Sequence, residues 1–469
     1  MNIALVETKP SATSFNTYFD FEFDRYALCS NSKIQKVLKK DVDIEIDADD
    51  YDWLILVGAE AFKYFTKKSS VTEYNGKIID DKFLALMNPA VIKFRPEAKK
   101  SFEEAVESIT KYISGELKIE KLDEEKCYGI QDKETILKYL QDAIDAPRPY
   151  IALDSETSAL YARDGYMLGF SMSYEPDHGI YCDSDVIDVD VESKMQELFR
   201  LKTVVFHNAK FDLQWFEYHF GFVFPKFEDT MLMHYMFDEN PGTHGLKQLA
   251  MNHTPYGDYE KPLSDWSEQY RKAHGVLKAD FSYDLIPFDI MKNYAAMDAV
   301  VTFLLYEKMR AAIEKNNKLK WVYENILLEG CDFLKQVESN GVPFDKERLN
   351  RASAIMAIDI QKAIDQLYEY IGLTPTGKKT GTGADSTDAE VLGTLAQEHE
   401  VPKLILEIRQ KVKIKNTYLD KIIPNLDMDS RLRTGFNLHG TTSGRLSSSG
   451  KLNMQQLPRD NPTVKGCIK

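Results

Sequence analysis

Asp154 and Glu156 stand two residues apart in the run PYIALDSETSAL. Read as a strand, this run puts both side chains on one face, because strand side chains alternate with period two. Two carboxylates facing the same way after the apolar residues YIAL repel unless a cation lies between them. One such pair is a weak sign, since Asp43 and Glu45 form another in a polar stretch. Two further features strengthen it. The segment NAKFD, from Asn208 to Asp212, follows the apolar run VVFHN and opens a helix, which puts Asp212 near the C-terminal edge of a sheet. The segment YAAMD carries Tyr294 and Asp298 four residues apart, so a helix presents phenol and carboxylate on one face. Asp298 sits in the apolar setting AAMDAVVTFLL, where a carboxylate needs a partner or a metal.

The elements that must hold these groups are legible around them. Residues 1–118 alternate short buried-strand runs (MNIALVE, YDWLILVG, KFLALMN) with amphipathic pieces (NSKIQKVLKK, EAFKYF), and RPEAKKSFEEAVESITKYISG reads as a helix ending at Gly115. This is an α/β accessory domain. Residues 119–134 read as a charged linker with an edge strand. Residues 135–315 form a second α/β unit: the helix ETILKYLQDAIDA, the strand of Asp154, an antiparallel continuation in MLGFSMSY and HGIYCD, the strand–turn–helix KTVVFHNAKFDLQWFEYHFG, and the long helix MKNYAAMDAVVTFLLYEKMRAAIEK. From 316 to 430 the pattern is mostly helical, broken by the loop TPTGKKTGTGAD, and 431–469 turns to Gly, Ser and Thr with short strand signals.

The DxE, NxxxFD and YxxxD segments, in this order, resemble the three motifs of the 3′–5′ proofreading exonuclease domain of the DEDD class, tyrosine variant, which has a ribonuclease H-like α/β fold. The resemblance implies that Asp154, Glu156, Asp212 and Asp298 hold two divalent cations, Mg²⁺ or Mn²⁺. One would activate water and the other stabilise the leaving 3′ oxygen. Oxygen ligands suit these ions, and in-line attack on a phosphodiester benefits from two metals about 3.5–4 Å apart. It implies that Tyr294 orients the attacking water. Asn208 is expected to shape the turn before its helix and Asp229, in EDTMLMHYM, to be structural. Phe211, Trp215 and Tyr294 are candidates to stack on a frayed single-stranded 3′ end.

The stretches SNGVPFDKERL, STDAEVLGTLAQ and ILEIRQKVKIKNTYLDKIIP resemble the thumb of family A DNA polymerases, the DNA polymerase I type, and FNLHGTTSGRLSSSGKLNMQQLPR resembles the start of their palm. Arg409, Lys411, Lys413 and Lys415 read as a cationic strip for phosphates. The resemblance implies that Arg445, Asn453 and Gln455 touch the minor groove and primer terminus. The run NMQQ, where NLQN is common, leaves Gln456 as the alternative to Gln455. The family's catalytic palm aspartates would follow, and the sequence stops at VKGCIK. The expectation is therefore the exonuclease and primer-template-binding portion of a phage-encoded replicative polymerase. It should not polymerise alone, and a second polypeptide should carry palm and fingers. The segment 431–469 should then be disordered or covered without that partner. Two other readings are a free-standing exonuclease acting on RNA or repair intermediates and a non-catalytic polymerase subunit. The four carboxylates with Tyr294 argue against the second, and TTSGRLSSSG argues against the first.

In residues 1–118, ILVGAEAFKYF and LALMNPAVIKFRPEAKK are similar to the uracil-DNA glycosylase fold. Asn88-Pro89 stands where that family has His-Pro, which implies a degenerate domain without excision activity that binds DNA or a partner.

Composition sets the outer bounds. The 469 residues suggest about three domains. No run of about 20 apolar residues marks a membrane span, and MNIALVETKP has no basic-then-apolar signal pattern. Five scattered cysteines exclude a disulfide framework or a CxxC zinc site and fit a reducing cytoplasm, the host's if the source is viral. Net charge is −15, yet residues 403–469 carry 13 Lys and Arg against 5 Asp and Glu. An acidic body with a basic C-terminal segment can still grip phosphates locally.

Overall fold

The computed structural model describes residues 1–9, 11–28, 46–68, 70–72, 74–96, 98–116, 123, 125–368, 388–450, 452–458 and 461–469. The segment NSKIQKVLKK, the pair Asp43 and Glu45, most of the linker before residue 125 and the loop TPTGKKTGTGAD lie outside the described residues. The chain divides into two compact units, Met1–Asp238 with Gly242–Lys320, and Glu239–Pro241 with Trp321–Lys469.

The N-terminal part of the first unit is a five-stranded sheet of β1 (Ile3–Glu7), β2 (Asp24–Ala27), β3 (Trp53–Val57), β4 (Ile78–Ile79) and β5 (Phe83–Leu86), in the order β2-β1-β3-β5-β4. Only the β4–β5 pair is antiparallel. Strand alternation sorts the apolar runs onto two faces. Ile3, Leu5, Ile55, Val57, Leu84 and Leu86 pack with Phe102 and Ile109 of α2 (Ala98–Ser114). Ala4, Val6, Leu54, Leu56 and Ala85 pack with Phe62 of α1 (Ala59–Thr66). Covering on both faces is why these strands read as unbroken apolar runs. Asn88 caps a 3₁₀ turn, its Oδ1 accepting from the Ala90 amide at 2.9 Å.

The rest of the first unit is built on a six-stranded sheet of order β11-β10-β7-β8-β9-β6: β6 (Cys127–Ile130), β7 (Tyr150–Thr157), β8 (Met167–Glu175), β9 (His178–Asp183), β10 (Thr203–Phe206) and β11 (Phe227–Asp229). The expected edge strand is β6, paired parallel to β9. Strands β7, β8 and β9 are antiparallel neighbours, as their sequences suggested. Helices α3 (Lys133–Asp145), α4 (Val189–Leu201) and α5 (Ala209–Phe220) lie between them in the chain. After the short α6 (Thr230–Tyr235), α7 (Leu246–His253) and α8 (Lys261–His274) comes the 27-residue α9 (Phe288–Glu314), which packs on β6 to β9. The approach is close. A Cβ on Gly179 of β9 would lie 2.5 Å from the Ala296 carbonyl oxygen of α9.

The second unit is mostly helical: α10 (Leu328–Asn340), α11 (Lys346–Tyr368), α12 (Ala389–Leu395) and α13 (Glu400–Lys413), with a π-helical turn at Ile414–Leu419 continuing α13. Of the two states expected for 431–469, disordered or covered, its described residues take the second. Leu432, Leu452, Val464 and Cys467 are buried with Phe344, Leu349, Ile414, Tyr418 and Leu419 in one core. Strand β13 (Arg431–Leu432) pairs with β12 (Val342–Pro343), and β14 (Gly435–Asn437) pairs with β15 (Ser447–Ser449). Tyr418 donates to the Gln456 carbonyl at 2.6 Å and Thr434 to the Leu452 carbonyl at 2.7 Å. The segment finds part of its core on the helices before it, while Leu446 stays exposed and each of the two-stranded sheets keeps its outer edges open.

Candidate metal and exonuclease site

Strand β10 pairs with β7 only as far as Ala152, opposite Val205. Beyond that point the β7 edge is open, and Asp154 and Glu156 project from this open end while β8 continues alongside, Asp154 facing Ser171 and Glu156 facing Gly169. The chain leaves β10 and reverses at Asn208, whose φ of 71° is left-handed. That reversal starts α5 and brings Asp212, on its first turn, against β7. Asp212 Oδ1 accepts from the Ser155 amide at 3.0 Å and the Ser155 hydroxyl at 2.6 Å.

One carboxylate organises the turn. Asp229 accepts from the Asn208 and Ala209 amides at 3.2 and 2.9 Å, and from those of Met231 and Leu232 at 2.8 and 3.2 Å. It therefore caps the start of both α5 and α6, where unpaired amides and the helix dipole favour a negative charge.

Asp298 reaches the same place from α9. Ligand oxygens of Asp154, Glu156 and Asp298 lie within 4.8 Å of one another. Glu156 and Asp298 are 5% and 3% exposed. Burial pushes the Asp154 and Glu156 carboxyls well above the usual carboxylate range; Asp212, Asp298 and Glu156 add repulsion at Asp154, and Asp298 and Asp212 at Glu156. Burial likewise raises Asp212, to about 7, against the lowering effect of its two Ser155 bonds. Glu156 Oε1 is buried with no hydrogen-bond partner. A buried carboxylate oxygen left unpaired among other carboxylates, all hard oxygen donors, fits a Mg²⁺- or Mn²⁺-type cation. Asp212 stands beside this trio with its Oδ1 committed to Ser155.

Two residues not anticipated from the sequence complete the site. Lys247, near the start of α7, is hydrogen-bonded to Asp298 Oδ1. Tyr259, between α7 and α8, donates to the same oxygen at 2.5 Å. The Lys247 ammonium lies 4.0 Å from the Tyr294 ring centroid and 4.7 Å from that of Tyr259, both cation–π distances. Tyr294 and Asp298 share the α9 face expected of them. Burial first, then the charge of Asp298, holds the Tyr294 and Tyr259 phenols well above their ordinary range. Neither Lys247 nor Tyr259 carries a sequence signal, because each lies far in the chain from the carboxylates it serves. Of the three candidate stacking residues, Trp215 is withdrawn. It is 1% exposed and stacks on His219 inside the fold. Phe211 and Tyr294 keep part of their surface.

In the second unit, the helix period divides the cationic strip. Arg409 and Lys413, four apart, share an exposed face. Lys411, two residues from each, falls on the other side and pairs with Glu407 at 2.7 Å. Lys415 lies in the π turn and pairs with Asp420 at 2.6 Å. Arg445 is exposed in the loop between β14 and β15. Asn453 caps a 3₁₀ turn through the Gln455 amide at 3.0 Å, and Gln455 Nε2 donates to the Leu446 carbonyl at 3.1 Å, which ties these residues to the arm that bears Arg445.

Comparison with known proteins places two parts of the chain in known families. Residues 128–314 match the family model "3'-5' exonuclease", and residues 345–467 match "DNA polymerase family A". The chain is 42% identical to the DNA polymerase of Escherichia phage T5, over all of its own length and 60% of that protein. It is 28% identical to DNA polymerase I of Rhizobium leguminosarum, over 70% of this chain and 36% of that one. It is 24% identical to the DNA polymerase of Bacillus phage SP01, over 90% and 56%. The chain thus spans between about a third and three fifths of the length of these relatives. The fold of the POL domain of Pol1 from M. smegmatis, solved in complex with DNA primer-template and dNTP, superposes with a TM-score of 0.56 at 18% identity, over 73% of this chain and 58% of that one. Among the described residues no helix is long and apolar enough to cross a membrane. With both family models matched in chain order and the T5 polymerase similar over the whole chain, the chain belongs to the family A DNA polymerases and contains that family's 3′–5′ exonuclease domain.

Proposed function

We propose that this chain removes nucleotides from the 3′ end of DNA by metal-dependent hydrolysis at Asp154, Glu156, Asp212 and Asp298, as the proofreading function of a replicative polymerase. The observation that carries this reading is the convergence of Asp154, Glu156 and Asp298 around the unpartnered Glu156 Oε1. Two divalent cations, Mg²⁺ or Mn²⁺, when bound, would supply an activated water and offset the charge on the leaving 3′ oxygen. The chain's own groups do the rest. Asp154 and Glu156 present oxygens from one face of β7. Asp298 faces them from α9. Asp212 braces β7 through Ser155 and is the fourth candidate ligand. The Tyr294 phenol, which burial keeps protonated, can donate to and orient the water. Lys247 offsets part of the carboxylate charge and offers a cation to a phosphate entering over Tyr294.

In the second unit we assign Arg409 and Lys413 to backbone phosphates of primer-template DNA. Arg445, Asn453 and Gln455 are assigned to the minor groove, whose acceptors are alike for every base pair and suit checking pair shape. The test of the hydrolytic reading is a single-stranded DNA labelled at its 5′ end. Purified chain with Mg²⁺ or Mn²⁺ should shorten it stepwise from the 3′ end and stop in excess EDTA. Release of nucleotides from the 5′ end, or full activity in EDTA, overturns it.

A further inference from the structure

Tyr259 reaches Asp298 from a short connection between α7 and α8, and the N-terminal domain grips that connection on both sides of Tyr259. On one side, Lys68 Nζ lies 3.3 Å from Asp258 Oδ2. It also donates to the Tyr74 hydroxyl at 3.0 Å and lies 4.5 Å from the Tyr74 ring centroid, so three contacts fix its position. On the other side, Lys261 Nζ lies 2.6 Å from Asp80 Oδ1. Asp80 and Asp81 form the tight turn between β4 and β5, with φ of 52° and 54° and the Lys82 amide bonded to the Ile79 carbonyl at 3.2 Å. Asp tolerates this left-handed backbone, and Ile79 pairs with Phe83 across the three-residue loop. Asp80 is therefore presented from a hydrogen-bonded turn. The two ion pairs have opposite polarity, so the connection fits in one register only.

We propose that the N-terminal domain is a positioning module for the exonuclease site: Lys68 and Asp80 hold Asp258 and Lys261, and thereby keep the Tyr259 hydroxyl on Asp298 Oδ1. The inference rests on the metal-site reading above. A carboxylate held by a fixed donor has one orientation instead of several, and ordering it beforehand removes that entropy from cation binding. Tyr259 acts here through Asp298 and is a positioning residue. This gives the domain a role that needs neither glycosylase chemistry nor DNA contact.

The test uses the full chain carrying Lys68→Glu and Asp80→Lys together, and the swapped form that adds Asp258→Lys and Lys261→Asp. Three quantities are read: Mn²⁺ affinity of metal-free protein by calorimetry without DNA, hydrogen exchange of the amides over 254–262, and kcat and KM on single-stranded DNA. The reversed form should bind Mn²⁺ about tenfold more weakly, at the low end of what outer contacts to metal ligands contribute. Its 254–262 amides should exchange faster, and kcat should fall more than KM rises. The swapped form should recover all three. Tyr259→Phe should weaken Mn²⁺ binding while leaving exchange as it was. If the reversed form does not fold, Asp80→Asn, which removes the charge without bulk, should move the same readouts in the same direction. Wild-type Mn²⁺ affinity and exchange in the reversed form or in Asp80→Asn, or no recovery in the swapped form, overturns the proposal. Asp298→Ala separates the two levels. If it still hydrolyses DNA, the site itself is misassigned. If it is inactive while the reversed form binds Mn²⁺ normally, only the positioning role fails.

Discussion

Ser155, the residue between the two strand carboxylates, gives both its amide and its hydroxyl to one oxygen of Asp212, at 3.0 and 2.6 Å. This joins the first turn of α5 to the open edge of β7, and makes Asp212 a brace as well as a candidate ligand. Asp212→Ala leaves two buried donors unpaired, at a cost of about 1–3 kcal/mol each. Asp212→Asn keeps an oxygen acceptor and removes a buried charge. In EDTA the Asn variant should therefore melt above wild type and the Ala variant below the Asn variant, while both lose hydrolysis. Thermal unfolding and a DNA-shortening assay check the order, and wild-type hydrolysis by Asp212→Asn would exclude Asp212 from the site.

Asp298→Ala should abolish hydrolysis, because it removes the α9 member of the carboxylate trio. Tyr294→Phe should retain Mn²⁺ binding and lose roughly 10²-fold in kcat, since only the hydroxyl that orients water is gone. Calorimetry beside single-turnover kinetics separates the two. A Tyr294→Phe variant that fails to bind Mn²⁺ would move Tyr294 from the chemistry to the construction of the site.

Lys247 is the cation that the carboxylates hold in the fold itself. Without it, repulsion among Asp154, Glu156 and Asp298 must be relieved by further proton uptake or by metal. Lys247→Ala should melt several degrees below wild type in EDTA and recover much of that difference in Mg²⁺. An equal deficit with and without Mg²⁺ would indicate that Lys247 matters only for packing against Tyr259 and Tyr294.

Stability of the metal-free chain should fall as pH rises. Burial raises Asp154 and Glu156 well above their ordinary values and Asp212 to about 7. The folded state then holds protons that the unfolded state has released above pH ~4, so stability is lost across the window from about 4 to about 7. Melting in EDTA at pH 5 and pH 8 measures the slope, and Asp212→Asn should flatten it. Mg²⁺, which favours the ionised carboxylates, should stabilise the chain more at pH 8 than at pH 5.

On the second unit, charge removal should follow the faces of α13. The double variant Arg409→Ala/Lys413→Ala should reduce the salt slope of primer-template binding by about 2, one for each phosphate contact. Removing Lys411 and Lys415, which are half-buried, should change it less. Fluorescence anisotropy across a salt series distinguishes the pairs, and equal slopes would restore the single strip.

Asp154, Glu156, Tyr294 and Asp298 were legible in the sequence because strand and helix periods are local: spacing of two and of four decides which side chains share a face before any tertiary contact forms. The apolar runs of β1, β3, β5 and β7 were legible for the same reason. Tertiary structure alone decided the remainder. It recruited Lys247 and Tyr259, which no local pattern relates to Asp298 at 51 and 39 residues' distance. It buried Trp215, split the α13 cations by helix phase and π turn, and packed the tail from Arg431 onward against the core around Phe344 and Leu419. Electrostatic compensation and core closure depend on which segments meet in space, and that meeting is a property of the assembled fold.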